Sequence, residues 1–166
     1  MRVTQKVKDE MLQRFQDQYG IMKPALHYKS PFELLVAVVL SAQCTDERVN
    51  IVTAGMFPKY NRPEKMITLG VEGLEEKIKT CGLYHSKAKN LIATCGILCE
   101  KYGGEVPESF EELVKLPGVG RKTANVLVSI LFNTPAIAVD THVFRVSNRL
   151  HLATGTTPLE VEKGLQ

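Results

Sequence analysis

Residues 34–40 read LLVAVVL, seven apolar side chains in succession inside the stretch SPFELLVAVVLSAQ. Ser30, Pro31 and Glu33 open that stretch with a capping box and a proline at the first helical position, so the run begins as a helix. A helix that is apolar all round has no face to give to water and must be buried. The rest of the chain therefore has to enclose it. At seven residues the run is far short of the ~20 that a membrane span needs.

The remaining sequence supplies the enclosure as short helices with strong punctuation. TQKVKDEMLQRFQDQYG places Val7, Met11, Phe15 and Tyr19 at successive four-residue steps and stops at Gly20, as an amphipathic helix does. Helices are expected over residues 45–57, 63–69, 73–80 and 86–102. The last carries Leu91, Cys95, Leu98 and Tyr102 on one stripe before Gly103 and Gly104. Ser109 and Glu112 form a second capping box, for a helix over 109–116. Asp140 is placed as the N-cap of a helix with Val143, Val146 and Leu150 on one face. Thr157, Pro158 and Glu160 start a final helix that reaches Gln166 with no stop signal, and the natural protein is expected to continue. No run of strand length alternates in polarity, so the fold class is all-α.

Composition narrows the function. A chain of 166 residues, 44% of them hydrophobic, can bury a core as one domain or two small lobes and is no disordered tail. A net charge of +3 serves nucleic-acid binding only where the positive residues gather on one face. Cys44, Cys81, Cys95 and Cys99 contain no CxxC pair, which points to a reduced, cytoplasmic compartment. Cys95 and Cys99 lie one helical turn apart and would make half a metal site, but no second ligand pair accompanies them in sequence. They read as small buried hydrophobes, and no metal site is expected.

The stretch LPGVGRKTANVLVSILF, residues 116–132, carries the chemistry. Its turn, Pro117, Gly118, Val119 and Gly120, joins two helices into a tight hairpin. Glycines let a ligand approach the backbone, and the following helix start offers unpaired N–H groups, a cradle suited to a phosphate. An ordinary helix corner would also use Gly and Pro. What separates the two readings is Arg121 and Lys122, cations at the positive end of a helix, which is unfavourable by ~0.3–1 kcal/mol unless an anion sits beside them. The pair favours phosphate, and a polymer of phosphates.

LPGVGRKTANVLVSILFNTPAIAVDTHVFRVSNRL resembles the catalytic core of the endonuclease III branch of the helix-hairpin-helix (HhH-GPD) DNA glycosylase/AP lyase family. SPFELLVAVVLSAQCTD, LGVEGLEEKIKTCGLYHSKAKNLI and GGEVPESFEELVKLPGVGRKTANV resemble the same family in the same order, so the likeness covers nearly all of residues 30–150. The resemblance implies a two-lobed helical fold. One lobe is a six-helix barrel over residues 22–133 that contains the hairpin at about 109–132. The second is partial, built from residues 1–21 and 134–166, and lacks the family's cluster loop.

The resemblance further implies a bifunctional enzyme of base excision repair that removes oxidised pyrimidines and then cuts the strand by β-elimination. Lys122 is implied as the nucleophile that forms a Schiff base. Its amine must be unprotonated, and because the helix dipole supplies at most ~1 kcal/mol towards that, partial burial and bound DNA are expected to supply the rest. Without the resemblance, Lys122 would read as a solvated phosphate-binding lysine. Asp140 is implied as the carboxylate that stabilises the cationic sugar, a role compatible with plain N-capping.

Gln43 and Leu83 are implied as wedges that fill the hole left by an everted nucleotide. The alternatives are a helix-end polar residue and a leucine folded onto the core. Gly118, Val119, Gly120 and Arg121 would grip the strand, and His142 would line the site. Lys87, Lys89, Arg145 and Arg149 would extend the phosphate track or stand as surface charges. The partner is duplex DNA with a damaged base or abasic site, met by a monomer held at the nucleoid through DNA, with no membrane attachment.

One departure accompanies the resemblance. The family carries a 4Fe–4S cluster on four closely spaced cysteines after its last helices, and the four cysteines here lack that spacing. A cluster is expected only if the natural protein continues beyond Gln166. Two other functions compete with the lyase. A non-catalytic helix-hairpin-helix binding module would have no use for an aspartate in the register of Asp140. A mismatch-adenine glycosylase relative typically lacks the lysine.

Overall fold

α2 (Pro31–Ser41) is buried on every side from Phe32 to Leu40, as its sequence requires. This computed structural model describes residues 3–166 and, among them, shows ten α-helices, one 3-10 turn and no strand. The chain divides into two compact units, Ala25–Thr134 and Met1–Pro24 with Pro135–Gln166.

In the larger unit the start of α2 is fixed by reciprocal bonds. Ser30 Oγ accepts the Glu33 N–H at 3.2 Å, and the Glu33 carboxylate reaches one residue further back, to the Lys29 N–H at 2.6 Å. Around α2 pack α3 (Asp46–Met56), α6 (Tyr84–Lys101) and α8 (Arg121–Leu131). The side chains that make this core include Leu34, Leu35 and Leu40 of α2, Leu91 and Leu98 of α6, and Leu127 and Val128 of α8. Burying a leucine or valine contributes about 1.5–3 kcal/mol each, so enclosing α2 is a large favourable contribution to this fold. α4 (Pro63–Met66) runs through the 3-10 turn Ile67–Leu69 into α5 (Gly70–Ile78), and α5 lies along α6.

Several helix boundaries differ from the sequence expectation, three of them for a clear local reason. α5 begins at Gly70 rather than residue 73, because Gly70 at φ 64° reverses the chain straight out of the 3-10 turn. α6 begins at Tyr84 rather than 86, its N-cap Leu83 lying in the left-handed region at φ 58°. α7 (Phe110–Leu113) is a single turn. After Val114 the chain tightens, and the Lys115 and Leu116 N–H groups bond to the carbonyls three residues back. Pro117 disfavours helical geometry in the residue before it, so α7 cannot run on into the turn.

The smaller unit holds α1 (Gln5–Tyr19), α9 (Thr141–Leu150) and α10 (Pro158–Leu165). Its core is Val139, Ala153 and Val161, with Ile137, Val143, Phe144 and Leu165 against them. α10 opens with a complete capping box between Thr157 and Glu160. Lys8 of α1 donates to the Leu152 carbonyl at 2.6 Å. The apolar stripe of α1 stands apart from this core, with Val7, Phe15 and Tyr19 at 40%, 39% and 58% exposure.

Candidate functional site

The hairpin turn is held from beneath by α6. Thr94 Oγ1 donates to the Pro117 carbonyl at 3.0 Å, and Gly118, at φ 79°, lies so close to Asn90 that an added Cβ would sit 3.1 Å from the Asn90 Cβ. Gly120 faces open space, the N-cap of α8 with no side chain covering the helix start. The two glycines thus do different work. Gly118 permits the bend and the close packing, while Gly120 leaves the backbone approachable. Gly118→Ala is expected to lower stability by about 1–2 kcal/mol, because alanine resists the left-handed conformation. Urea unfolding should show a lower midpoint at unchanged slope.

Val119 differs from its neighbours. Its side chain is buried, 5% exposed, and its N–H donates to the Leu116 carbonyl at 3.0 Å, so it shapes the turn and has no side chain to offer a strand. Turn position alone could not separate this inward valine from the open Gly120 that follows it.

Arg121 and Lys122 occupy the first two positions of α8, and at about 100° per residue Lys122 falls on the side away from the buried residues Ala124, Leu127 and Val128. Both are exposed. The Arg121 guanidinium rests over the Phe110 ring, 4.9 Å from its centroid, a cation–π contact that ties α7 to α8. The partial burial expected for Lys122 is absent, because the inward face of α8 begins at Ala124.

Gln43 and Leu83 come together in the same unit. Both are exposed, Leu83 at 57%, and both stand in the left-handed region at φ 52° and 58°. For residues other than glycine that conformation costs about 1–2 kcal/mol each, so the surrounding contacts must hold it. Leu83 is not folded onto the core. The two loops touch through Gly82, where a Cβ would lie 2.7 Å from the Gln43 carbonyl oxygen.

Lys87 overturns its expected place on a surface phosphate track. It is 4% exposed, and its Nζ donates to the Leu40 carbonyl at 2.8 Å and the Ala42 carbonyl at 2.5 Å. Burial pushes its pKa below the ordinary 10.5. α6 buries it because one face of that helix, Lys87, Leu91, Thr94 and Leu98, turns inward. Lys89, Arg145 and Arg149 are exposed as expected. Lys87, Gly82 and Thr94 were not separable from ordinary surface and turn residues by sequence. The available signal was polar residues recurring on the buried stripe of α6.

Asp140 and His142 belong to the smaller unit. Asp140 is the N-cap of α9, its Oδ1 accepting the His142 N–H at 3.0 Å and the Val143 N–H at 2.8 Å. Two backbone donors and the positive end of α9 stand at this carboxylate. His142 is exposed, its Nδ1 3.4 Å from the Arg145 guanidinium.

The four cysteines do not fit an iron–sulfur cluster. Cys81 and Cys95 are buried, and burial pushes the Cys95 thiol up to about 12 and the Cys81 thiol up to about 11. Among the described residues no three metal-ligating side chains gather at one place. No helix among them is long and apolar enough to cross a membrane.

A family profile described as HhH-GPD superfamily base excision DNA repair protein matches residues 36–166. Endonuclease III of Rickettsia conorii (strain ATCC VR-613 / Malish 7) is 57% identical over 143 residues, 86% of this chain and 68% of that protein. Two solved structures superpose with TM-scores of 0.92 at 50% identity, covering 99% of this chain and 77% and 78% of theirs. One is a non-covalent endonuclease III–DNA complex, the other a trapped endonuclease III–DNA covalent intermediate with an estranged adenine. The chain spans 68% to 78% of the length of these relatives.

Proposed function

This chain belongs to the HhH-GPD superfamily of base excision DNA repair proteins, and on that premise we propose that it is a bifunctional DNA glycosylase and AP lyase. Its substrate is duplex DNA carrying an oxidised pyrimidine or an abasic site, reached in the cytoplasm at the nucleoid. The observation that carries this reading is the exposed side chain of Lys122, on the second residue of α8 and two residues after the open glycine of the hairpin. Support comes from the half-identical relative that was trapped in a covalent complex with DNA.

The residues divide the work. The hairpin turn holds a strand phosphate at its glycine backbone and the start of α8. With the damaged nucleotide out of the stack, the neutral Lys122 amine attacks C1′ of the sugar. The N–C1′ bond forms as the glycosidic bond breaks, and the electron pair leaves with the base, which takes up a proton. The Asp140 carboxylate stabilises positive charge on the sugar during that step. Ring opening gives a Lys122 iminium. Loss of a C2′ proton then expels the 3′ phosphate and breaks the strand. Gln43 and Leu83 occupy the space the nucleotide left, which keeps it from returning. No step runs through a metal or cluster.

The test is incubation with abasic-site duplex and borohydride, which reduces an iminium to a stable amine. A covalent protein–DNA band on a denaturing gel is the expected result. Well-folded protein that binds the duplex yet forms no such band would reduce the function to DNA binding.

A further inference from the structure

Lys87 is the one buried lysine or arginine among the described residues, and its two acceptors lie at a particular place. The Leu40 carbonyl belongs to the penultimate residue of α2 and the Ala42 carbonyl to the residue just past its end, and Ala42 leads directly into Gln43. Five residues before Lys87 along the chain, Gly82 lies against the Gln43 carbonyl, and Leu83 follows at the tip. Lys87 therefore belongs to the helix that carries one tip and grips the backbone that carries the other.

Burying an ammonium is unfavourable unless its hydrogen bonds are made. A methionine would fill the same volume with no such demand, so packing alone does not call for a lysine here. What the lysine adds is direction. One ammonium donating to two carbonyls two residues apart, on either side of a helix end, fixes the path of the chain leaving that helix, where the negative end of the dipole also favours a cation. The path so fixed is the one that holds Gln43 at φ 52° beside Leu83 at φ 58°.

We propose that Lys87 is a positioning residue that locks the Gln43 and Leu83 tips into a single two-pronged wedge, so that both enter a duplex together as a nucleotide leaves it. This rests on the glycosylase reading above. It separates two steps that activity alone confounds. Opening a paired duplex needs both prongs in register, since unstacking a base step is costly and must be replaced by packing. The chemistry at Lys122 does not.

The experiment compares single-turnover removal of an oxidised pyrimidine from a fully paired duplex with removal from an unpaired bubble of the same sequence. Wild type, Lys87→Met, Lys87→Arg and Gly82→Ala are measured side by side. Lys87→Met should slow the paired substrate by about 10-fold or more relative to the bubble, the order expected for a misplacement of about an ångström. Lys87→Arg, which keeps a buried donor, should recover part of that ratio. Gly82→Ala, which pushes on the Gln43 carbonyl from the other loop, should reproduce the loss with the lysine intact, and it decides the matter if Lys87→Met fails to fold. Equal slowing on both substrates would make Lys87 a support of the fold and overturn the proposal. Wild type inert on both substrates would overturn the glycosylase reading and this proposal with it. Active wild type, with variants that keep its ratio, would overturn this proposal alone.

Discussion

Lys122→Ala should abolish the borohydride-trapped adduct and reduce cleavage of abasic-site duplex by at least about 10³-fold, the scale of losing a covalent nucleophile. The fold should not suffer. Lys122 is exposed, and substitutions at such sites stay within about 0.5 kcal/mol. Removing a cation from the positive end of α8 even favours a small gain, ~0.3–1 kcal/mol. A mutant at least as stable as wild type and chemically inactive is therefore the signature.

Lys122→Arg sharpens the result, because arginine keeps the charge but is never deprotonated in proteins. It should bind duplex with near wild-type affinity and still give no adduct. Cleavage by either variant at a rate near that of wild type would place the nucleophile elsewhere.

The second large effect is expected at Asp140, where one side chain caps a helix and carries a charge. Asparagine caps about as well as aspartate, so Asp140→Asn should leave urea stability within about 0.5 kcal/mol while losing the carboxylate charge. Base removal should fall by about 10²–10³-fold, the scale of removing one preorganised electrostatic group. Asp140→Ala removes the acceptor for the His142 and Val143 N–H groups as well, and should add a stability loss of about 0.5–2 kcal/mol. Single-turnover excision and urea unfolding of the two variants separate the roles. If Asp140→Asn excises at the wild-type rate, the aspartate serves α9 alone.

Much of this architecture was legible where the deciding interactions are local. The Ser30 cap, Pro31 and the unbroken apolar run marked α2 as the buried centre, and the structure places it there. The Asp140 cap was legible for the same reason, since its partners lie two and three residues away. Legibility fails where partners are distant. Lys87 finds the Leu40 carbonyl 47 residues earlier in the chain, and nothing local distinguishes it from the exposed Lys89. Gly82 owes its necessity to the Gln43 carbonyl, and Thr94 to Pro117. Helix starts moved at Gly70 and Leu83, where a left-handed residue intervenes and a single backbone dihedral decides the boundary.

The inward face of α6 reaches the chain leading into Gln43 through Lys87 and the hairpin turn through Thr94, seven residues further on. Seven residues are about two turns and ~10 Å of rise. α6 thus acts as a ruler. The gap between the Gln43 turn and the Pro117 turn is metered by helical pitch, a stiff spacer, so side chains at either end can change while the separation stays the same.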